Sequence, residues 1–466
     1  MFDFAAMETW YSISVFGLIA GLMLLSNTLR RKISWLRRSL LPTAVLAGFI
    51  GLLLKETLGV WLYGEATILE LNRYLSVITY HAIALGFIAL GLKAPIRSGA
   101  QKRQGLLSGM LIVATYLLQG LIGLGITLGL SLTFMPWLFG ASGLLLPLGF
   151  GQGPGQALNI GTVYEQTYGF AGGASFGLVV ASFGFIWASV LGVLHLNRLE
   201  KKGLIKRSHL AQKSAITTQE ISAPDEIPLA ESIDKFTVQV TLVLFTYGVT
   251  YALLRSVTNL MYEGLLGDFG IQTIAPLLWG FNFIFAMLLA LGLRRVFALL
   301  RKSSLMSRQY TNDFMLNRIA GFVFDLMIVA AMTAIRIVDL QRLWLPLALL
   351  VLTVGFATFF FVWWLTKRLY PTYHNAANMG MFGMLSGTAS TGIILLREVD
   401  PNFETPAAMD LVIGSSTAIL FGFPILLLVG IAPQSLLLSG VALAIIAVMW
   451  VAFTGILIKL TSVKTN

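Results

Sequence analysis

Between Gln104 and Tyr164 the chain runs for 61 residues without a formal charge. A single helix of that length would reach about 90 Å, roughly three times the hydrocarbon core of a bilayer. The stretch therefore has to hold one span plus a piece that goes into the apolar layer and returns. Met135-Pro136 breaks it first, and GFGQGPGQ (Gly149–Gln156) breaks it again. Proline removes a backbone donor and glycine widens the allowed dihedrals, so both sites end a helix.

Composition points the same way. Hydrophobic residues make up 57% of the 466 and charged residues 11%, against about 25% charged in soluble proteins. The mean hydropathy is +0.82. A soluble enzyme, a nucleic-acid binder and a disordered chain are excluded, and membrane lipid becomes the main solvent. There is no cysteine and there are four histidines. Thiolate metal sites and cysteine nucleophiles are ruled out, and nothing suggests an enzyme or a cofactor. Thr9–Leu29, followed by Arg30, Arg31 and Lys32, reads as a retained first helix and not as a cleaved leader.

Further apolar runs fall at Ser39–Leu54, Tyr74–Leu92 and Gln166–Leu194. The second half repeats the rhythm with Phe236–Leu254, Phe269–Leu293, Ile319–Ile335 and Leu343–Thr366. A Gly-rich uncharged stretch follows at Leu369–Leu396, and then Leu411–Ile458, long enough for two spans. Each half thus has four spans, a broken segment and a fifth span. Because five is odd, the second half enters from the opposite face. The expected fold is all-α and polytopic, with two inverted-topology repeats of five helices. The first repeat covers 1–197, with a re-entrant hairpin near 136–165. A polar linker covers 198–235. The second repeat covers 236–431, with a hairpin near 371–398, and an additional helix covers 432–466. Basic residues crowd alternate loops, such as Arg30 to Arg38, Lys93 to Arg103, Arg198 to Arg207 and Arg294 to Arg308. This bias accounts for most of the net charge of +11 and puts the N-terminus outside and the C-terminus in the cytoplasm.

Irregular backbone at membrane depth persists only where protein or a polar cavity surrounds it. Half-helix N-termini favour anions, and unwound carbonyls favour Na⁺. The expected solute contacts are therefore Gln152, Gly153, Gly155 and Gln156 from the first break. The second contributes Ser386, Gly387, Thr388, Ser390 and Thr391. Helix packing by small residues and back-bonded hydroxyls are the plainer alternatives.

These residues also carry a resemblance. Gln119-Gly120 with Gly123 and Gly125, GQGPGQA (Gly151–Ala157), Tyr168-Gly169-Phe170 and Ala181-Ser182-Phe183-Gly184 resemble the bacterial glutamate:sodium symporter family. So do Met332-Thr333, Arg336, Asn375-Ala376-Ala377 and GMLSGTAST (Gly383–Thr391). Gln152, Pro154 and Gln156 depart from that family's usual loop. The resemblance implies Na⁺-coupled uptake of glutamate, a homodimer and elevator-like movement, in a bacterial inner membrane. A transporter of a neutral solute and an ion channel are the alternatives.

Among ionisable groups, Asp325 lies mid-span, as a cation ligand, a proton relay or half of a structural pair. Asp410 reads as a helix cap or a sodium ligand. Ser182, Ser415, Ser416 and Thr417 follow the two hairpins at corresponding places and are candidate sodium contacts, with backbone bonding as the alternative. His81 reads as a packing histidine. Lys55 with Glu56, and Arg336 with Asp339, read as interfacial residues. Arg397, Glu398 and Asp400 read as solvated.

Overall fold

The computed structural model describes residues 6–93, 99–205, 234–306 and 308–462. Most of the polar linker therefore lies outside the described residues. Among those described, the regular elements are helices. Before the linker come α1 (Met7–Lys32), α2 (Ser34–Arg38), α3 (Thr43–Leu54), α4 (Val60–Gly91), α5 (Gly99–Leu132), α6 (Leu145–Gln152), α7 (Pro154–Tyr168) and α8 (Gly173–Lys201). After the linker come α9 (Lys235–Tyr262), α10 (Ala275–Gly280), α11 (Asn282–Lys302), α12 (Asp313–Thr333) and α13 (Trp344–Leu369). The chain closes with α14 (His374–Ser386), α15 (Ala389–Arg397), α16 (Ala407–Ile431) and α17 (Leu436–Ser462).

Local chemistry sets the helix ends. Asp234 and Asn312 cap α9 and α12, accepting from the amides of Thr237 and Met315. Three basic residues close α1, at the negative end of its dipole. Gly169, left-handed at φ 71°, ends α7.

Among the described residues, nine stretches are long and apolar enough to cross a membrane. One of them, Thr43–Gly91, folds back on itself and is not one straight rod. Gly64 (φ 76°, ψ 165°) turns it back, and Lys55 Nζ reaches Asn72 Oδ1 at 2.9 Å. Those two residues would stand about 25 Å apart on a straight helix. The Ala407–Gln434 pair, bent by 51°, has the length and apolar composition of a span only when its two pieces are taken together. Pro424 lies inside it and cannot donate to the carbonyl four residues back. Counted as one span, the bent pair brings the helices of spanning length and composition among the described residues to ten.

Between the passes lie two helical hairpins. In the first, the chain leaves and returns to one end of the bundle. The rings of Phe139 and Phe170, before α6 and after α7, stack at 5.1 Å. In the second, α14 and α15 fold against each other through glycines: a Cβ on Gly383 would stand 2.8 Å from the Gly392 Cα. Helix α5 measures their relation. Near its start, Gln104 Nε2 contacts Tyr373 at the base of the second hairpin. Near its end, Thr127 Oγ1 donates to the Gly140 carbonyl at the base of the first, at 2.7 Å. These two contacts are 23 residues apart, about 35 Å along a helix. The hairpins therefore enter from opposite ends and run toward each other.

Candidate functional site

The tips of the two hairpins meet. At the first tip α6 stops and α7 starts across Gly153, whose φ of 103° and ψ of 176° suit glycine alone. Pro154 then opens α7 with its fixed φ and no amide to satisfy. At the second tip Gly387 and Thr388 separate α14 from α15. A Cβ placed on Gly153 would stand 3.2 Å from Thr388 Cγ2 and 3.7 Å from the Gly387 carbonyl oxygen.

Neighbouring helices hold both tips. Tyr116 on α5 donates its hydroxyl to the Gly151 carbonyl at 3.3 Å. One turn on, Gln119 Nε2 donates to the Leu385 carbonyl at 2.9 Å and to Thr358 Oγ1 at 3.1 Å. A single helix face thus ties one break to the other and to α13. Gly184 on α8 lies against the Ser386 carbonyl, where any side chain would collide.

The polar groups at the tips are only partly committed. Ser386 Oγ and Gln156 Oε1 are buried without a hydrogen-bond partner among the described residues, as is Gln119 Oε1. Ser386 and Thr391 are 0% and 1% exposed. Gln152 and Thr388 are half-buried and Ser390 is exposed. Thr388 Oγ1 and Thr391 Oγ1 lie 3.4 Å apart. Both α7 and α15 begin here, so their first amides, which lack intrahelical partners, converge. The nine expected solute contacts thus sit on two tips that touch, and Gln119 joins them. Its signal in the sequence is an amide set in the apolar middle of α5.

The expected sodium contacts are placed differently. Ser182 Oγ donates to the Leu178 carbonyl at 2.8 Å. Ser415 Oγ donates to the Leu411 carbonyl at 2.7 Å, and Thr417 Oγ1 to the Ile413 carbonyl at 2.9 Å. Each is satisfied by its own helix. The Ser416 side chain lies outside the described residues. Asp410 does not cap α16. It is 2% exposed and accepts from Tyr373 Oη at 2.8 Å and from Gln104 Nε2 at 3.3 Å, at the base of the second hairpin. Asp325 is half-buried on α12.

Two surface expectations need correction. Lys55 is 4% exposed and lies in a wide turn, Lys55–Gly59. Its ammonium meets Glu56 at 3.0 Å, Asn72 Oδ1 at 2.9 Å and the Ile335 carbonyl at 2.5 Å. Because the chain folds back at Gly64, this lysine faces the bundle. Asp400 is 6% exposed and accepts from the amides of Glu404 and Thr405, both at 2.9 Å. It organises the turn before α16. Arg336 and Asp339 pair at 3.4 Å. Asp339 also accepts from Ser175 Oγ at 3.0 Å, tying the start of α8 to that loop. A cleft of about 710 Å³, lined by Phe139, Tyr168, Asp339, Arg342 and Pro433, opens at the base of the first hairpin, away from the tips.

Neither protein-family models nor curated protein sequences match this chain. The fold and site define a class, a polytopic helical membrane protein with two broken helices meeting at the centre of its bundle.

Proposed function

We propose that this protein is a secondary active transporter that couples Na⁺ to the uptake of glutamate or a related anionic amino acid. The observation that carries the reading is the meeting of the two breaks at Gly153 and Thr388. Two helix N-termini, at Pro154 and Ala389, direct partial positive charge at one place. An anionic carboxylate suits that field. Uncommitted oxygens of Ser386 and Gln156 beside it accept from an ammonium group. Close glycine contacts between the hairpins and α8 support movement of the hairpins with that helix, as an elevator-like mechanism requires. Two inverted repeats, a homodimeric scaffold and a bacterial inner-membrane location with the N-terminus outside complete the proposal.

One observation favours a second reading. None of the nine tip residues carries a formal charge, which suits a neutral, hydroxylated solute equally well. Uptake into proteoliposomes, with and without a Na⁺ gradient, tests both. The first reading expects saturable Na⁺-driven glutamate uptake, inhibited by aspartate more than by neutral analogues. Uptake indifferent to Na⁺, or unaffected by excess glutamate, overturns it.

A further inference from the structure

The cleft of about 710 Å³ at the base of the first hairpin takes no part in the solute site. Its size falls within the range of small-molecule sites, about 300–1,000 Å³. Three parts of the chain wall it: the legs of the hairpin at Phe139 and Phe170, the loop between α12 and α13, and the junction of α16 with α17. Five long helices stop or start around it. α5 ends at Leu132 and α12 at Thr333, while α8, α13 and α17 begin at Gly173, Trp344 and Leu436. The cleft therefore lies at the level where the apolar spans end. Trp137 on its wall and Trp344 just beyond it are exposed, and tryptophan is the side chain favoured at a membrane interface.

Two charged side chains line the cleft, Asp339 and Arg342, and local backbone sets their relation. The amides of Leu340, Gln341 and Leu343 donate to the carbonyls three residues back, at Ile337, Val338 and Leu340. With three residues per turn, positions 339 and 342 stand on one edge of the loop. Asp339 is only partly committed. Its Oδ1 meets Arg336 at 3.4 Å and its Oδ2 accepts from Ser175 Oγ at 3.0 Å, and a carboxylate has about four lone-pair sites. Arg342 is exposed and has no hydrogen bond or ion pair among the described residues. Beside these charges, Val338 and Leu436 also line the cleft, 60% and 50% exposed.

We propose that this cleft binds a phospholipid whose headgroup is zwitterionic and ends in a primary ammonium, the ethanolamine type. The phosphate accepts from the Arg342 guanidinium, a charge-assisted contact. The ammonium donates to the free lone pairs of Asp339. The glycerol and the first acyl carbons lie on Trp137, Val338 and Leu436. Two carbons join the headgroup charges, a span that side chains three residues apart can match. A glycerol headgroup keeps the phosphate contact but brings no cation to Asp339. A choline headgroup brings the cation without an N–H to donate. A water-soluble zwitterion leaves the apolar edge bare. Seated there, the lipid joins the base of the first hairpin to two segments distant in sequence. Such binding stands whether or not the protein carries glutamate.

The test is thermal unfolding of the purified full-length protein in detergent, with dioleoyl phosphatidylethanolamine, phosphatidylcholine or phosphatidylglycerol added at equal mole fraction. The native chain should melt several degrees higher with the ethanolamine lipid than with either other. Arg342→Ala should weaken the apparent affinity for that lipid about tenfold or more. Because Arg342 is exposed, its loss should leave lipid-free melting unchanged. Asp339→Asn keeps an acceptor for Ser175 and removes the charge, so it should erase the preference for ethanolamine over glycerol. Where Asp339→Asn does not fold, Arg342→Ala still decides. Equal melting in the three lipids overturns the site, as does an ethanolamine preference that survives Arg342→Ala. Two soluble probes, glycerophosphoethanolamine and glutamate, each added without lipid, should give no rise. A full rise with either assigns the cleft to a water-soluble zwitterion and overturns the lipid. Proteoliposome uptake keeps the claims apart: Na⁺-driven uptake with no lipid preference removes this site alone, and a lipid preference without uptake removes the transporter alone.

Discussion

The two breaks that meet at the centre are built by different means. At the first, backbone conformation does the work: Gly153 is left-handed and Pro154 follows it. At the second, Gly387 (φ −141°) and Thr388 (φ −143°) avoid the left-handed region, and packing decides. A Cβ on Gly387 would stand 2.9 Å from both Phe185 Cδ1 and Thr391 Oγ1. The first tip is therefore a fixed part. The second depends on its neighbours and on Gln119, and it carries the hydroxyls. In a transporter, such a pair suits a rigid wall facing an adjustable one.

Substitutions sharpen that contrast. The largest effect is expected from Gly153→Val. A non-glycine residue in the left-handed region costs about 1–2 kcal/mol, and a branched one also collides with Thr388. Uptake should fall to background, with a clear drop in melting temperature; wild-type uptake would show that the first tip is not fixed by its backbone. Gln119→Leu comes next. It leaves the buried Leu385 carbonyl and Thr358 hydroxyl without their donor, a loss of about 1–3 kcal/mol, read as a lower melting temperature. Gly387→Ala should be milder, since no left-handed strain arises and Thr391 can rotate. Uptake should drop about tenfold, and melting should change less than for Gly153→Val. The reverse ranking of the two glycines would break the comparison. Thr388→Ala should be smallest, raising the apparent KM about three- to tenfold through one lost hydrogen bond without moving the melting temperature.

The breaks themselves were legible in the sequence. Sixty-one uncharged residues cannot form one span, and glycine beside proline marks where the turn must fall. The all-helical, polytopic character was legible too, from the succession of long apolar runs. What long-range contact decides was not legible. A serine in an apolar helix looks the same whether it faces a ligand or its own carbonyl, and Ser182 and Ser415 take the carbonyl. Lys55 sits at the end of an apolar run, as interfacial lysines do. Only the turn at Gly64 brings Asn72 and, from 280 residues away, Ile335 to its ammonium. Asp410 stands in the first turn of its helix, as capping residues near an N-terminus do. Its partners come instead from Tyr373 and Gln104, distant in sequence.

The chain contains no cysteine, so a thiol introduced by Ser390→Cys, at the exposed edge of the second tip, is the only target for a maleimide. Its labelling rate in membranes, with Na⁺, glutamate, both or neither, tests most directly whether the meeting tips receive a solute. Labelling should slow severalfold when both are present and little with glutamate alone. A rate that ignores every combination would contradict a solute site at the junction of the two hairpins.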